Sequence, residues 1–182
     1  MPAPLLKFGA PVGSIFQVAY TVPNLQQGMK DFSAQMGVGP WFVLNYVATE
    51  NARYRGKPTP LKITIAVGWA GNVNVELFEI IDDSPSVYRD MVEARGHGFH
   101  HWAIGSKSFE ADVARYEQMG YELAFYEHHV RGRVAYMDTR KDMPGYIEIC
   151  EMTEIQENRM FRMWQAAQSF DGTDPVRTAP VT

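Results

Sequence analysis

Gly98-Phe99-His100-His101-Trp102-Ala103-Ile104 is a short run of aromatic and apolar residues, opened by two histidines and bounded by Gly98 and Gly105. Such a run reads as a buried strand. Side chains alternate along a strand, so Phe99, His101 and Ala103 are expected on one face, and His100, Trp102 and Ile104 on the other. His101 then has small Ala103 behind it, which leaves room for another atom. The run has an echo at Phe16-Gln17-Val18-Ala19-Tyr20, with Gln17 in the place of His101 and Ala19 in the place of Ala103. Each copy leads through a helix-like segment to Gln-Met-Gly, at Gln35-Met36-Gly37 and Gln118-Met119-Gly120. Two strand–helix units 84 residues apart imply an internally duplicated domain.

Outward from these two strands, residues 1–14 read as an entry arm. The first module spans 15–82. Ile15–Val22 is its first strand, and Asn24 caps a helix to about Met36 with Leu25, Met29, Phe32 and Met36 as the buried stripe. Strands follow at Trp41–Ala48, Leu61–Trp69 and Val73–Ile81, with Glu50–Pro60 as a polar loop. A connecting helix lies in 83–98, capped at Ser84 with Pro85 at its first position. The second module spans 99–152. Ser108 caps a helix with Val113, Tyr116 and Met119 buried, and strands follow at Glu122–His129, Arg133–Asp138 and Tyr146–Met152. Thr153 and Gln156 form a capping box for a helix over 153–170, with Met160, Met163, Trp164 and Ala167 as its apolar stripe. Residues 171–182 read as a flexible tail.

Composition narrows the function. A chain of 182 residues with 46% hydrophobic content can bury a sizeable core. A net charge of −4 points to no nucleic-acid partner. The single cysteine, Cys150, excludes a disulfide framework and fits a reducing compartment, the cytoplasm. The start lacks the pattern of a signal peptide, and no apolar stretch reaches the length of a membrane span.

Two strands carry an acid between apolar neighbours, Val75-Glu76-Leu77 and Ile147-Glu148-Ile149. Glu79 and Glu151 are the alternatives in the same strands. Glu76 and Glu148 are favoured as the inward pair, because Val75, Leu77, Ile147 and Ile149 then form an apolar underside against the helices. A buried carboxylate without a partner is costly. One divalent cation shared by Gln17, Glu76, His101 and Glu148 would supply the partner. Two carboxylates balance its charge, and the imidazole and amide add neutral donors. Mixed nitrogen and oxygen ligands suit Zn, Ni, Co, Mn or Fe.

On these residues the chain resembles the vicinal oxygen chelate superfamily. The resemblance is carried by Phe16-Gln17-Val18-Ala19, Val75-Glu76-Leu77, Gly98-Phe99-His100-His101-Trp102-Ala103, Arg133-Val134-Ala135-Tyr136 and Pro144-Gly145-Tyr146-Ile147-Glu148. It implies an α+β fold of paired βαβββ modules forming an open, cupped β-barrel around one metal, here with an extra C-terminal helix. The texture is most similar to methylmalonyl-CoA epimerases and their glyoxalase-like relatives. The family's four metal positions fall on Gln17, Glu76, His101 and Glu148. Gln17 departs from the histidine usual in epimerases, and the set is similar to that of the zinc form of glyoxalase I. It also argues against extradiol dioxygenase chemistry, which uses two histidines.

The resemblance implies a metal-dependent isomerase or lyase that enolises a small carbonyl or acyl-thioester substrate, with Glu148 as base and Glu76 as the acid that returns the proton. The epimerases carry a further acid on their third strand, but Leu61-Lys62-Ile63-Thr64-Ile65-Ala66 has none. Arg53, Arg55 and Lys57, and Arg131 with Arg133, are candidates to grip an anionic substrate. Trp41, Phe42, Phe78 and Tyr146 are candidates to line a cavity for an aromatic one. His128 and His129, at a turn, read as surface residues. The family also implies a homodimer. The alternative is a metal-free protein that sequesters a small molecule, as bleomycin-resistance members do.

Overall fold

Local signals start and stop each helix. Asn24 Oδ1 accepts the Gln27 N–H at 2.8 Å, and Gly37 ends the same helix at φ +66, where a side chain would be strained. The computed structural model describes residues 3–180, and Met1, Pro2, Val181 and Thr182 of the expected arm and tail lie outside them. The order is β1 (Ile15–Thr21), α1 (Leu25–Met36), β2 (Trp41–Val47), β3 (Arg53–Tyr54), β4 (Lys57–Pro58), β5 (Lys62–Ala70), β6 (Val73–Ile80), α2 (Val87–Arg95), β7 (Gly98–Ser106), α3 (Phe109–Gln118), β8 (Glu122–His129), β9 (Gly132–Asp138), β10 (Tyr146–Glu151), α4 (Glu154–Gln168) and β11 (Val176–Thr178).

The described strands form one curved, open sheet in the order β11-β2-β5-β6-β1-β7-β10-β9-β8-β3-β4. Its centre is the antiparallel pair β1–β7, the two echoing strands. On either side the same step follows: β1 pairs parallel with β6, and β7 pairs parallel with β10. The fold is therefore the mixed α+β cup expected. Val75 and Leu77 pack with α1 residues Leu25 and Met29, while Ile147 and Ile149 pack with Phe109 of α3. The two undersides are separate clusters rather than one continuous layer. Phe16, Ala19, Ala103, Phe78, Tyr136 and Cys150 belong to the core inside the cup.

Several local expectations change. The expected loop 50–60 contains the hairpin β3–β4, whose Arg53 and Tyr54 pair with Tyr126 and Phe125 of β8. The cap of α2 is Ser86, which accepts the Arg89 N–H at 3.2 Å, not Ser84. Thr153 accepts the Gln156 N–H at 3.2 Å, but the Gln156 amide turns to Cys150, so the box is one-sided. Met36 and Met119 are exposed, beyond the reach of their helices' buried faces. Val176–Thr178 of the expected flexible tail forms β11 on the edge of β2. The entry arm buries Leu6 and Phe8, and its Lys7 N–H donates to Glu157 of α4 at 2.8 Å. Met160 and Met163 of α4 are buried in the core inside the cup, each contributing about 1.5–3 kcal/mol, so this helix packs on the barrel.

The largest departure is in β7. Ala19 lies opposite His101 and Tyr20 opposite Phe99, so His100 is the extra residue of a β-bulge. A bulge resets alternation. Both histidines are fully buried beside Phe78 and Tyr136, while Phe99 joins Trp102 at 4.4 Å between ring centres. Gly145 makes this possible from the neighbouring strand's approach. A Cβ there would fall 2.4 Å from the His100 carbonyl oxygen.

Candidate metal centre

Four strands bring the inward donors together. Ala19 lies beside Glu76 on β6 and beside His101 on β7. Ala103 lies beside Gln17 on β1 and Glu148 on β10. Both alanines are fully buried, and larger side chains there would fill the space between the four donors. One ligand atom each from Glu76, His101 and Glu148 falls within 4.8 Å of the others. His101 Nε2 is 3.1 Å from Glu148 and 3.7 Å from Glu76. Bonds of about 2.0–2.2 Å to a shared ion hold ligand atoms at such separations. Glu79 and Glu151 face elsewhere: Glu79 accepts the Leu25 N–H at 3.1 Å, and Glu151 pairs with Arg133.

Hydrogen bonds fix which atom each donor presents. His100 Nε2 lies 3.1 Å from the Val87 carbonyl oxygen, so it must carry the proton. Burial, then the neighbouring His101, hold His100 far below the ordinary histidine value, so the ring is neutral and its Nδ1 accepts. His101 Nδ1, 2.8 Å away, therefore donates to it. That leaves the lone pair of His101 Nε2 facing two carboxylates. This buried nitrogen has no hydrogen-bond partner among the described residues. A lone pair aimed at two acids is repulsive unless a cation or proton stands between them. Gln17 is fixed similarly. Its Nε2 donates to Asn74 Oδ1 at 2.7 Å, and Asn74 in turn donates to the Gly68 carbonyl at 3.0 Å, so the Gln17 oxygen is the end left over. Gln17 and Glu148 line the same cavity as Glu76.

The two acids crowd each other, and the Arg159 cation offsets their charge only in part. Burial, then the Glu148 charge, push Glu76 well above the ordinary carboxylate value. The residues thus fit a divalent ion: an orphaned nitrogen, two acids and an oriented amide converge on one small space. The surrounding hydroxyls stay protonated. Burial, then Glu148, raise Tyr136, and burial raises Tyr88, whose oxygen is 3.0 Å from that of Tyr136.

The cavity holds about 90 Å³. Phe78 lines it, as expected, with Tyr46, Tyr136, Glu127, His129, Arg131 and Arg159. Trp41 does not; it lies under α1 and donates to Ser33 at 2.9 Å. Tyr146 packs against His100 instead. His129 faces the cavity rather than solvent, and burial, then Arg131, draw it down to about 4. Arg55 and Arg133 are committed to surface ion pairs. Sequence reasoning missed Asn74 and Arg159. Asn74 stands two residues before Glu76, on the same strand face. Arg159 stands three residues after Gln156 and one before Met160, within the helix stripe that faces the barrel.

Residues 16–136 match the pattern of the Glyoxalase/Bleomycin resistance protein/Dioxygenase superfamily. The chain belongs to this superfamily, the vicinal oxygen chelate proteins. Among solved structures it is similar to a hypothetical protein BH1468 from Bacillus halodurans C-125, at 21% identity and a TM-score of 0.56, covering 77% of this chain and 94% of that one. It is also similar to methylmalonyl-CoA epimerase from Mycobacterium tuberculosis, at 18% identity and a TM-score of 0.58, covering 84% and 93%. A Streptomyces coelicolor methylmalonyl-CoA epimerase variant in complex with 2-nitronate-propionyl-CoA matches at 15% identity and a TM-score of 0.56, covering 78% and 99%. These likenesses show the shared fold. No curated protein matches the chain. No described helix is long and apolar enough to cross a membrane.

Proposed function

We propose that this protein is a metal-dependent isomerase or lyase of glyoxalase or epimerase type that enolises a small α-acidic carbonyl compound. Gln17, Glu76, His101 and Glu148 would hold one divalent ion. The observation that carries this reading is the buried His101 Nε2, its lone pair set between two carboxylates with no other partner among the described residues. When bound, the ion supplies Lewis-acid stabilisation of the oxygen on which charge develops. Glu148 takes the proton from the carbon beside the carbonyl onto a carboxylate oxygen. Glu76 is the second acid of the site and returns a proton if the product is an epimer. No acid of β5 can do so, since its cavity-lining residues are Ile65 and Val67. Tyr136, kept protonated, can donate a hydrogen bond inside the cavity. Apolar Phe16, Phe78 and Phe125 keep bulk water from the exposed carbanion carbon. The homodimer that the resemblance implies, and the cytoplasmic setting that the single cysteine fits, belong to the same reading.

Proton exchange in deuterated water tests it. A carbonyl compound that binds should exchange its α-proton even without turnover. Glu148→Gln keeps a coordinating oxygen but cannot act as base, so exchange should fall by about 10²–10⁴ with metal retained. Full exchange in that variant removes Glu148 from the base role. Absence of exchange with every α-acidic carbonyl tried, beside tight binding of an apolar ligand, would favour the sequestering protein.

A further inference from the structure

Arg55 and Arg133, the arginines most obvious in the sequence, are held by acids. Arg55 pairs with Asp90 at 3.1 Å, Asp138 at 2.8 Å and Glu122, and Arg133 with Glu151 at 2.6 Å and Glu110. Arg131 and Arg159 differ. Both line the barrel cavity together with Gln17, Glu76 and Glu148. Neither is paired with a carboxylate among the described residues. Arg159 is only 6% exposed, and its one hydrogen bond among them runs from Nε to the Pro180 carbonyl at 3.0 Å. Both terminal nitrogens of its guanidinium are left without a protein acceptor there.

Burying a cation without a counter-charge is costly, and a second arginine nearby adds repulsion. Burial, then Arg131, draw Arg159 down to about 10 against the weaker opposing pull of Glu76, so it is still a cation at neutral pH, with no carboxylate in contact among the described residues. The neighbouring acid Glu127 does not compensate it. Glu127 accepts from the Tyr46 hydroxyl and from the Thr49 N–H at 2.6 Å. His129, beside them, is neutral. One end of the cavity, closed by α4 and the β8–β9 turn, is therefore positive, while β6 and β10 supply the acids Glu76 and Glu148.

We propose that Arg159 and Arg131 form an anion subsite in this cavity, and that the substrate is a compact carboxylic acid whose carboxylate docks there while its carbonyl faces Glu148. The substrate half of this statement rests on the function proposed above; the subsite does not. A guanidinium fork matches the two oxygens of a carboxylate. The volume favours a small molecule: about 90 Å³ is well below the roughly 300–1,000 Å³ of sites that enclose drug-sized ligands. A bulky thioester carrier would have to lie outside.

The test titrates acetate, inorganic phosphate and neutral acetamide into the full chain by calorimetry, with the metal content of each sample counted. Acetate should bind once per chain, more tightly than phosphate, and acetamide should not bind. Arg159→Gln should weaken acetate by about tenfold or more, with Arg159→Lys between, and with metal content unchanged. His101→Ala should keep the acetate site, because acetate held only by the metal would vanish there. Arg131→Gln provides the same reading if Arg159→Gln does not fold. Acetate binding unchanged in the arginine variants, or lost in His101→Ala, overturns the subsite. Phosphate binding more tightly than acetate overturns the carboxylate assignment. A metal-loaded protein that ignores all three probes overturns the subsite and leaves the metal chemistry standing. Acetate binding in a chain that takes up no metal does the reverse.

Discussion

In β1 the inward donor is Gln17, and its amide is tied at 2.7 Å to Asn74 on the neighbouring strand. In β7 the inward donor is His101, and its ring is tied at 2.8 Å to His100, the residue before it. The two strands sit side by side at the centre of the sheet and occupy matching places in the two halves. The first half keeps regular pairing with β6 from Gln17 to Thr21 and borrows its support from across that ladder. The second half inserts a bulge, which turns two consecutive side chains inward and lets one orient the other. A duplicated scaffold thus presents equivalent positions, while the support of each donor is solved separately. The histidine half presents one nitrogen lone pair in one tautomer. The glutamine half presents a weaker, neutral oxygen.

Removing each support should reveal this asymmetry. His100→Ala frees the His101 ring to change tautomer and rotate. Losing the group that orients a ligating histidine typically costs about 10–100-fold in metal affinity, and competition against a coloured chelator would measure it. Wild-type affinity in His100→Ala would show that the bulge has no part in metal binding. Asn74→Ala should cost less, near the tenfold end of that range, because it frees only the amide. A larger loss in Asn74→Ala than in His100→Ala would invert the comparison.

The acids give a smaller, pH-dependent effect. Glu76 is raised in the folded chain, so above the ordinary carboxylate value near 4.5 the metal-free fold holds a proton that the unfolded chain has released. Its contribution therefore falls as pH rises. His129, drawn down to about 4, acts oppositely between that value and the ordinary 6.5, but equally with and without metal. The gap in Tm between metal-loaded and chelator-treated protein should widen from pH 5 to 8, and Glu76→Gln should flatten it. A gap that narrows with pH contradicts this.

Much of this arrangement was legible in the residues. Val75-Glu76-Leu77 and Ile147-Glu148-Ile149 are regular strands, so alternation alone separates the residues that pack under α1 and α3 from the two acids. The Gln17–His101 echo marks the paired centre. His100 was not legible as an inward residue, because a bulge depends on what stands opposite: its position is set by Tyr20 and Ala19 on the partner strand. The same holds for β3 and β11, two- and three-residue strands that join the sheet through distant partners, β8 and β2. Arg159 was hidden for another reason. Its helix stripe reads as apolar from Met160 and Met163, and only the packed barrel shows that the arginine just before them faces a cavity.

The central claim is that four donors from both halves hold one ion. Elemental analysis of the full chain, purified without chelator, tests it directly. About one divalent ion per chain is expected in the wild type, with none in His101→Ala. A metal-free wild type, or stoichiometric metal retained when Gln17, Glu76, His101 and Glu148 are all replaced by alanine, would contradict it.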